Sequence, residues 1–343
     1  MNNLVSIIIP HYNNETILLN CLKSIYESTY KNFEIIVVDN ASIDNSIKNA
    51  KSLYPNINIV KSESNLGYAG GCNLGSKEAN GEFLFFLNND TVIESSCIEL
   101  LINKINSNKN ISSVQPKILN LKNKKYFDYA GASGGFIDYL VFPFTRGRIF
   151  NTIEEDKKQY DDSKKIFWAS GAGFLTKKNI FKKLSGFDEK FFAHMEEIDY
   201  HWKSYLAGYC VWVEPKSILY HLGGGTLDMQ SAQKTYLNHR NSLILLLSNY
   251  SFSKSILYFI IRLPLEFISS IKDLITFKPI HCLNHYRALI WILTNFYIII
   301  KRRKEIKKYK VQSNAYLMRE KLILNYSIVL KYFLAKKGRY SKL

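Results

Sequence analysis

The sequence predicts an α/β protein with a doubly wound, mostly parallel sheet, followed by a basic, amphipathic α-helical C-terminal region. Three observations support this prediction. Short apolar runs alternate with stretches whose apolar residues recur at helical spacing. Polar and acidic residues directly follow these runs, and the excess positive charge lies in the last third of the chain. Because ligands of such sheets bind beyond the carboxyl ends of the strands, we expect a functional site there.

The first ninety residues contain four apolar runs, each long enough for one buried strand. These runs and the amphipathic stretches between them predict strands at 5–9, 33–38, 57–60 and 83–87, and helices at 15–28, at 44–53 and from the glycine-rich segment 65–75 onward. Asp39 and Asp90 follow the second and fourth runs. This placement predicts that both carboxylates lie at the ligand-binding edge of the sheet.

The middle of the chain has a less regular pattern. Residues 121–165 combine Gly, Lys, Asp and aromatic residues, which predicts loops lying over a site. Residues 196–206 show helical spacing with acidic residues in the first turn, which predicts a helix. A further strand is predicted at 210–213, before His221.

The positive charge is confined to one region of the chain. Of the 343 residues, 46 are Lys or Arg and 29 are Asp or Glu, which gives a net charge of +17. Residues 1–230 contain equal numbers of basic and acidic residues, whereas residues 231–343 contain 21 basic and four acidic ones. We therefore expect an α/β domain at 1–245 and a basic, helical membrane-association region at 246–343.

The basic region is predicted to lie on an anionic membrane surface. Its longest uncharged run, between Arg287 and Lys301, has thirteen residues, whereas a spanning helix needs about twenty. Apolar and aromatic patches beside dense Lys and Arg suit helices that lie in a membrane interface. A nucleic-acid surface is the competing interpretation, but such surfaces seldom carry long Ile and Leu patches, so no nucleic-acid partner is expected. Whether residues 283–300 enter the bilayer stays open.

The cysteines and the N-terminus point to the expected location. Five scattered cysteines without a C-x-x-C pair argue against a disulfide framework or a zinc ribbon and suit a reducing compartment. The N-terminus has neither a charged n-region nor a small-residue cleavage site, so a secretory signal is not expected. We expect a peripheral or monotopic protein on the cytoplasmic face of the cell membrane.

Five motifs occur in an order that resembles a known family. They are Pro10-His-Tyr-Asn13, Val38-Asp-Asn-Ala-Ser-x-Asp44, Asn65-x-Gly67 with Gly70-Gly71, Leu87-Asn-Asn-Asp90-Thr and Met195-Glu-Glu-Ile-Asp199. Over residues 4–245 the chain resembles the inverting glycosyltransferases of family 2, which have the GT-A fold. It is most similar to the rhamnosyltransferase-like branch, which builds bacterial surface polysaccharides.

The resemblance implies a nucleotide-binding set at the first motifs. Its members are Pro10, Tyr12, Asn13, Asp39, Asn40, Asn65, Gly67, Gly70, Gly71 and Asn89. The carboxylate of Asp39 can accept a hydrogen bond from the imide N–H of uracil or thymine, although it could instead cap the following helix. The glycine segment allows close backbone approach to a nucleotide or sugar, or is an ordinary tight loop. It does not match G-x-G-x-x-G, so a dinucleotide fold is disfavoured.

The resemblance also implies a site for a divalent metal, Mg²⁺ or Mn²⁺. Residues 88–90 (Asn-Asn-Asp) occupy the place of the family's D-x-D motif, with Asp90 as the remaining carboxylate. A cation bound there would neutralise charge on the leaving diphosphate. His221, which precedes the glycines at 223–225, falls where many relatives supply a histidine to the metal, although a lone histidine is more often structural.

The acidic cluster at 196–199 resembles the family's motif for the catalytic base. By position that role falls on Glu197, with Glu196 and Asp199 as alternates, although acids also favour a helix N-terminus for its dipole alone. Trp168 and Arg240 are implied near the acceptor or a phosphate group.

Together these features predict a metal-dependent inverting glycosyltransferase. The expected donor is a dTDP- or UDP-sugar, with dTDP-rhamnose favoured by the resemblance, and the expected acceptor is a saccharide linked to polyprenyl diphosphate. A nucleotidyltransferase is one alternative, but it should carry a basic loop after the first strand, and residues 11–14 contain no Lys or Arg. The other alternative is a non-catalytic membrane-bound scaffold, which would leave the ordered acidic residues unexplained.

Overall fold

The computed structural model describes residues 3–223 and 231–343. Two sheets form its framework. The strands are β1 (Val5–His11), β2 (Phe33–Asp39), β3 (Asn58–Lys61), β4 (Phe83–Leu87), β5 (Thr91–Ile93), β6 (Ile111–Asn120), β7 (Gly135–Asp138), β8 (Pro143–Thr145), β9 (Arg148–Ile149), β10 (Thr152–Ile153), β11 (Lys164–Ile166), β12 (Gly173–Lys177), β13 (Cys210–His221) and β14 (Ile323–Leu324).

Helices cover the sheets and form most of the C-terminal region. They are α1 (Glu15–Tyr26), α2 (Ser46–Leu53), α3 (Gly67–Glu78), α4 (Cys97–Asn106), α5 (Lys178–Lys183), α6 (Glu196–Leu206), α7 (Ala232–Asn249), α8 (Phe252–Ile275), α9 (Pro279–Thr294), α10 (Phe296–Tyr309), α11 (Asn314–Arg319) and α12 (Ile328–Phe333). Two short 3₁₀ turns lie at Glu189–Phe191 and Tyr340–Lys342.

The main sheet has nine strands, and its first half is parallel. Eight strands follow the order β11-β13-β6-β12-β4-β1-β2-β3, and β5 pairs with β13. β1 is parallel to β2 and β4, and β2 is parallel to β3, whereas β12 runs antiparallel to β4 and β6. The predicted fold class, an α/β protein with a helical C-terminal region, is confirmed.

Both faces of the parallel half are buried because the central positions of β1, β2 and β4 are apolar in succession. In β1, Ile7 and Ile9 pack in one core cluster with α1 and α4, while Ile8 packs in the other with α3. The same alternation places Val37 on the first face and Val38 on the second. Since successive side chains point to opposite faces of a sheet, a continuous Ile and Val run is what a doubly covered strand requires.

A second, five-stranded sheet occupies the segment expected to be loops. Its order is β10-β9-β8-β7-β14, and β14 joins from the C-terminal region in parallel with β7. The expectation of loops over residues 121–165 was therefore wrong for the positions in β7 to β11. Strands of two to four residues are too short to show a period-two pattern, so they cannot be recognised from local sequence.

The C-terminal helices pack on the α/β framework, and α7 runs across the expected domain boundary at residue 245. α10 contacts both α6 and α7. None of the described helices is both long enough and apolar enough to span a membrane.

The two faces of α8 have an unusual polarity. Its buried residues are polar or charged, namely Ser255, Arg262, Glu266 and Ser270. Its exposed side is apolar and is called here the outer face of α8; it consists of Leu257, Ile260, Ile261, Phe267, Ile268, Ile271, Leu274 and Ile275. A surface helix of a water-soluble domain normally shows the reverse arrangement.

Candidate active site

A large cavity lies at the carboxyl ends of β1 and β4, where parallel strands of this kind bind ligands. Its volume is about 1230 Å³. The ends of β1, β4 and β13 line one side together with the start of α6, and side chains of α7, α8 and α12 line the other. The α/β domain and the C-terminal helices therefore share one cavity.

Half of the proposed nucleotide set lines this cavity. These residues are Pro10, Tyr12, Asn40, Asn65 and Gly67. Gly67 has a left-handed backbone (φ 68°), and its amide donates to Asn65 Oδ1 at 2.9 Å, which fixes the loop that opens α3.

The other members of that set lie behind the cavity wall, where they hold its loops together. Asp39 Oδ1 accepts the backbone N–H of Ser42 at 2.8 Å, and Asn13 Oδ1 accepts that of Ile43 at 2.9 Å. Asn89 is buried, and its amide donates to Nδ1 of His11 at 2.9 Å. These bonds tie the loop after β1 to the loops after β2 and β4.

Gly70 and Gly71 lie within α3. A Cβ atom on Gly71 would lie 3.0 Å from Nδ2 of Asn40 and 3.1 Å from Cβ of Pro10, so the glycine lets the helix approach the ends of β1 and β2. The observed role of this glycine is close helix-to-sheet packing, which in turn positions Asn40 beside the cavity.

A chain of three polar side chains lies at the cavity floor. Nε2 of His221 lies 3.0 Å from Oδ1 of Asp90, and Nδ1 of His221 lies 2.9 Å from Oδ1 of Asp128. All three residues are buried and line the cavity. Burial would lower the pKa of His221, but the carboxylates of Asp90 and Asp128 outweigh it and raise the pKa to about 10.

These residues fit a divalent metal ion. Two ligands about 2.1 Å from an octahedral ion lie about 3.0 Å apart, which matches the separation of His221 Nε2 and Asp90 Oδ1. Metal-binding histidines usually donate their other ring N–H to a carboxylate, and Asp128 occupies that place. The glycines at 224 and 225 of the same motif lie outside the described residues.

The acidic cluster forms the first turn of α6, and its members lie in two different environments. Glu196 and Glu197 both line the cavity, and Oε2 of Glu197 has no hydrogen-bond partner among the described residues. Burial, more than any other influence, raises the pKa of Glu197 to about 7, and it raises that of Glu196 well above the usual value. Glu197 can therefore accept a proton near neutral pH.

Asp199 lies on the opposite side of the same helix. Its Oδ1 accepts from Nη2 of Arg302 at 2.5 Å, and its Oδ2 lies 3.2 Å from Nζ of Lys203. Side chains two positions apart on an α-helix point about 200° away from each other around the helix axis, so Asp199 cannot point in the same direction as Glu197. Arg302 also bonds Asp188, so this ion pair fastens α10 to α6 and to the segment before it.

Asn241 and Arg240 hold the loop that leads into α6. The side-chain amide of Asn241 donates to the carbonyls of Phe191, Ala193 and His194 at 3.1, 3.1 and 2.7 Å. Arg240 Nη2 donates to the carbonyl of Lys190 at 2.7 Å. Arg240 does not line the cavity; it acts on the site through this loop.

Trp168 forms part of the cavity wall. Its indole Nε1–H donates to the carbonyl of Phe136 in β7 at 2.9 Å. The bond fixes the ring against the second sheet, with part of its surface toward the cavity.

Sequence reasoning missed several residues of the site. Asp128 and Arg148 line the cavity from the segment expected to be loops, and Arg148 lies with its guanidinium 4.1 Å from the ring of Tyr129. Asn241 and Arg302 position α6 from distant helices. An Arg-Asn pair was visible at 240–241, but its contact with the α6 loop depends on tertiary packing.

Comparisons with known proteins agree with this architecture. The family model described as glycosyl transferase family 2 matches residues 6–185. The glycosyltransferase GlyG of Streptococcus pneumoniae serotype 4 is 31% identical over 144 residues, which cover 41% of this chain and 45% of that protein. The N-acetylglucosaminyl-diphospho-decaprenol L-rhamnosyltransferase of Mycobacterium tuberculosis is 21% identical over 266 residues, covering 73% and 86%. The match to GlyG thus spans less than half of that relative's length.

Solved structures show the same fold at low sequence identity. GalNAc-T7 with UDP, GalNAc and Mn²⁺ has a TM-score of 0.56 and 15% identity, covering 71% of this chain and 47% of that one. Staphylococcus aureus TarS 1–349 in complex with UDP has a TM-score of 0.50 and 18% identity, covering 73% and 68%. The chain therefore belongs to glycosyl transferase family 2 and has a GT-A-like α/β fold.

Proposed function

We propose that this protein transfers a sugar from a nucleoside-diphosphate sugar to a hydroxyl group of a saccharide acceptor, with inversion at the anomeric carbon. One observation carries the proposal: the Glu197 carboxylate lines the same cavity as the Asp90–His221 pair. A base for the acceptor and a site for the leaving diphosphate then line one shared space, at the strand ends and the start of α6.

Asp90 and His221 are the residues that would hold a divalent metal, with Asp128 orienting the histidine. Such an ion would supply positive charge where negative charge grows on the leaving diphosphate. Its identity, Mg²⁺ or Mn²⁺, is part of the proposal. GalNAc-T7, the fold neighbour solved with UDP, GalNAc and Mn²⁺, supports the choice of a divalent ion.

Glu197 acts as the general base in this proposal. Its carboxylate accepts the proton of the acceptor hydroxyl, whose oxygen then attacks the anomeric carbon from the face opposite the diphosphate. A pKa of about 7 makes the residue basic enough to accept this proton while still largely ionised just above neutrality. Glu196 is buried beside it, and burial and the neighbouring Glu197 carboxylate raise the pKa of Glu196 well above its usual value.

Pro10, Tyr12, Asn40, Asn65 and Gly67 form the nucleotide end of the cavity in this proposal. Oδ1 of Asp39 accepts the backbone N–H of Ser42, so Oδ2 is the oxygen that would bind the imide N–H of the base. Uracil and thymine both offer that group, so the expected donors are UDP- and dTDP-sugars.

We further propose that the acceptor is a saccharide on polyprenyl diphosphate. The mycobacterial relative is named for transfer of rhamnose to such a lipid, and an Escherichia coli relative, 36% identical over 110 residues, is named a UDP-Glc:α-D-GlcNAc-diphosphoundecaprenol β-1,3-glucosyltransferase. The apolar part of the cavity wall, from Phe142 and Phe150 to Leu330 and Phe333, suits a lipid chain. Rhamnose is the first sugar to test.

The outer face of α8 supports the peripheral membrane location that we propose. A helix that turns its charged residues inward and its Ile, Leu and Phe outward is stable when its outer face contacts lipid. Lys254, Lys272 and Lys278 lie at or near its ends and can attract anionic headgroups.

Flotation with vesicles of anionic phospholipid tests this location. The double variant Ile260→Asn, Ile271→Asn changes side chains that are 58% and 52% exposed on the outer face, and it should float less than the wild type. Leu53→Asn, at a position 63% exposed on α2, is the matched control and should float normally. Equal flotation of the double variant and the control would contradict the proposal.

A donor panel tests the proposed activity. Purified protein is incubated with UDP- and dTDP-sugars, Mg²⁺ or Mn²⁺, and a polyprenyl-diphosphate N-acetylglucosamine acceptor. Mass spectrometry should detect a product heavier by one sugar, and NMR should show an inverted anomeric configuration. Absence of transfer from every donor by folded protein, in the presence of metal and lipid acceptor, would contradict the proposal.

A further inference from the structure

A second group of metal-ligating side chains lies on the C-terminal side of the cavity. It consists of His239 on α7, Glu266 on α8 and His285 on α9. Nδ1 of His239 lies 2.6 Å from Oε2 of Glu266, and Nδ1 of His285 lies 3.4 Å from the same oxygen. Three different helices thus direct one nitrogen or oxygen atom each to a common point, and these atoms all lie within 4.8 Å of one another.

The contacts around this group orient its members. Nε2 of His285 lies 3.1 Å from Oδ2 of Asp273, and Nε of Arg262 donates to Oε1 of Glu266 at 2.8 Å. A carboxylate on the far ring nitrogen is the usual support of a metal-binding histidine. The Arg262 guanidinium occupies the other oxygen of Glu266, which leaves Oε2 as the atom that faces both imidazoles.

The contacts of His285 leave one ring nitrogen for a cation. Its Nε2 lies 3.1 Å from Oδ2 of Asp273, so Nδ1, which lies 3.4 Å from Oε2 of Glu266, is the nitrogen directed at the common point.

We propose that His239, Glu266 and His285 bind one divalent transition-metal ion of the Zn²⁺ type. Two imidazole nitrogens and one carboxylate oxygen are a ligand set that zinc takes in proteins. Ligands about 2.0–2.1 Å from a tetrahedral ion lie about 3.4 Å apart, which is the His285–Glu266 separation. His239 Nδ1 and Glu266 Oε2, which are 2.6 Å apart without the ion, must move apart to admit it. His239 and Glu266 line the cavity, so a water or an anionic oxygen of a bound molecule can reach the ion from that side.

This site is separate from the Asp90–His221 pair and does not rest on the proposed glycosyl transfer. The histidine pair favours a borderline ion such as Zn²⁺ or Co²⁺, whereas an oxygen-rich diphosphate site favours Mg²⁺ or Mn²⁺. The ion would link α7, α8 and α9. Its ligand on α8, Glu266, belongs to the buried polar side of that helix and not to its outer face.

The experiment measures metal binding by the full chain, without any reaction. Asp90→Asn protein, which lacks the carboxylate of the other site, is stripped with a chelator and titrated with Zn²⁺ against a chromophoric competitor. Co²⁺ titration is followed by visible absorption, whose intensity reports tetrahedral coordination. We expect one tightly bound ion per chain and a thermal shift to higher Tm on binding.

Single substitutions test which side chains bind the ion. In the same background, His285→Asn should abolish tight binding, and Asp273→Asn, which changes only the supporting carboxylate, should weaken it about 10–100-fold. His281→Asn is the matched control, because His281 lies on the same helix and bonds Thr235 instead. Absence of stoichiometric binding by the folded Asp90→Asn protein would overturn the proposal. Binding by His285→Asn as tight as by His281→Asn would also overturn it.

Discussion

Asn241 provides a test of how the fold positions the proposed catalytic base. Its side chain spans from α7 to the loop before α6 and donates to three carbonyls of that loop. In this loop Phe192, His194 and Met195 have left-handed backbones, with φ of 63°, 69° and 73°. Such a conformation is unfavourable for residues with side chains, so the loop depends on bonds from outside.

The substitution Asn241→Ala removes both N–H donors of this side chain. Each buried carbonyl left without a partner costs about 1–3 kcal/mol, so losing two donors should lower the free energy of unfolding by about 2–6 kcal/mol. Part of that cost disappears if the loop relaxes, but relaxation moves the start of α6. A displacement of about 1 Å of a catalytic group can lower turnover about 100-fold.

The assay compares kcat, the KM for the donor and the unfolding midpoint. We expect Asn241→Ala to lower kcat about 100-fold with a smaller rise in the donor KM, because Phe192 of the same loop accepts the backbone N–H of Ala69, two residues beyond Gly67, at 3.1 Å. Asn249→Ala is the matched control: Asn249 is buried on the same helix, and among the described residues its side-chain amide donates to the carbonyl of Leu245 alone. It should lose stability but keep kcat. Wild-type turnover by a folded Asn241→Ala protein would refute this reasoning.

Three further predictions follow from the same contacts. Because Glu197 must be ionised to act as base and its pKa is raised to about 7, kcat/KM for the wild type should fall as pH drops through about 7; a profile flat from pH 5 to 8 would contradict this role. Arg302→Met should lower the free energy of unfolding by about 3–5 kcal/mol, since Asp199 is left buried and without its arginine, whereas exposed Lys304→Met should be neutral in urea titration. Raising the salt concentration should weaken flotation with anionic vesicles, whereas salt-independent flotation would argue against attraction by the lysines near α8.

Some elements could be predicted from local sequence because local forces determine them. The predicted strand at 83–87 and the helix at 196–206 coincide with β4 and α6. An uninterrupted apolar run identifies a strand buried on both faces, and acidic residues followed by helical spacing identify a helix start. The family motifs singled out Asp90, Glu197 and His221, and all three line one cavity in the structure; their roles in it stay predictions.

Other features depend on contacts between distant parts of the chain. β14 joins the second sheet beside β7, almost two hundred residues earlier, and Asp128 meets His221 from a loop without a recognisable motif. The basic region also contains contacts that composition does not reveal. Its charge indicated a surface role, yet Arg302 is buried in an ion pair with Asp199.

The orientation of the acidic cluster was within reach of sequence reasoning. Positions 197 and 199 turn about 200° apart on a helix, so one cavity could not receive both carboxylates. Naming Asp199 as an alternate to Glu197 overlooked this geometry. In the structure it faces Arg302 and not the cavity.

Glu197→Gln, assayed for sugar transfer and nucleotide binding in the same preparation, tests the central claim most directly. The amide keeps the size of the side chain but cannot accept the acceptor proton. A positioned general base contributes about 10²–10⁴-fold, so transfer should fall by that factor while binding of the nucleoside diphosphate stays close to wild type. Glu78→Gln, exposed at the end of α3, is the control and should transfer normally. Near-wild-type transfer by Glu197→Gln would contradict the account.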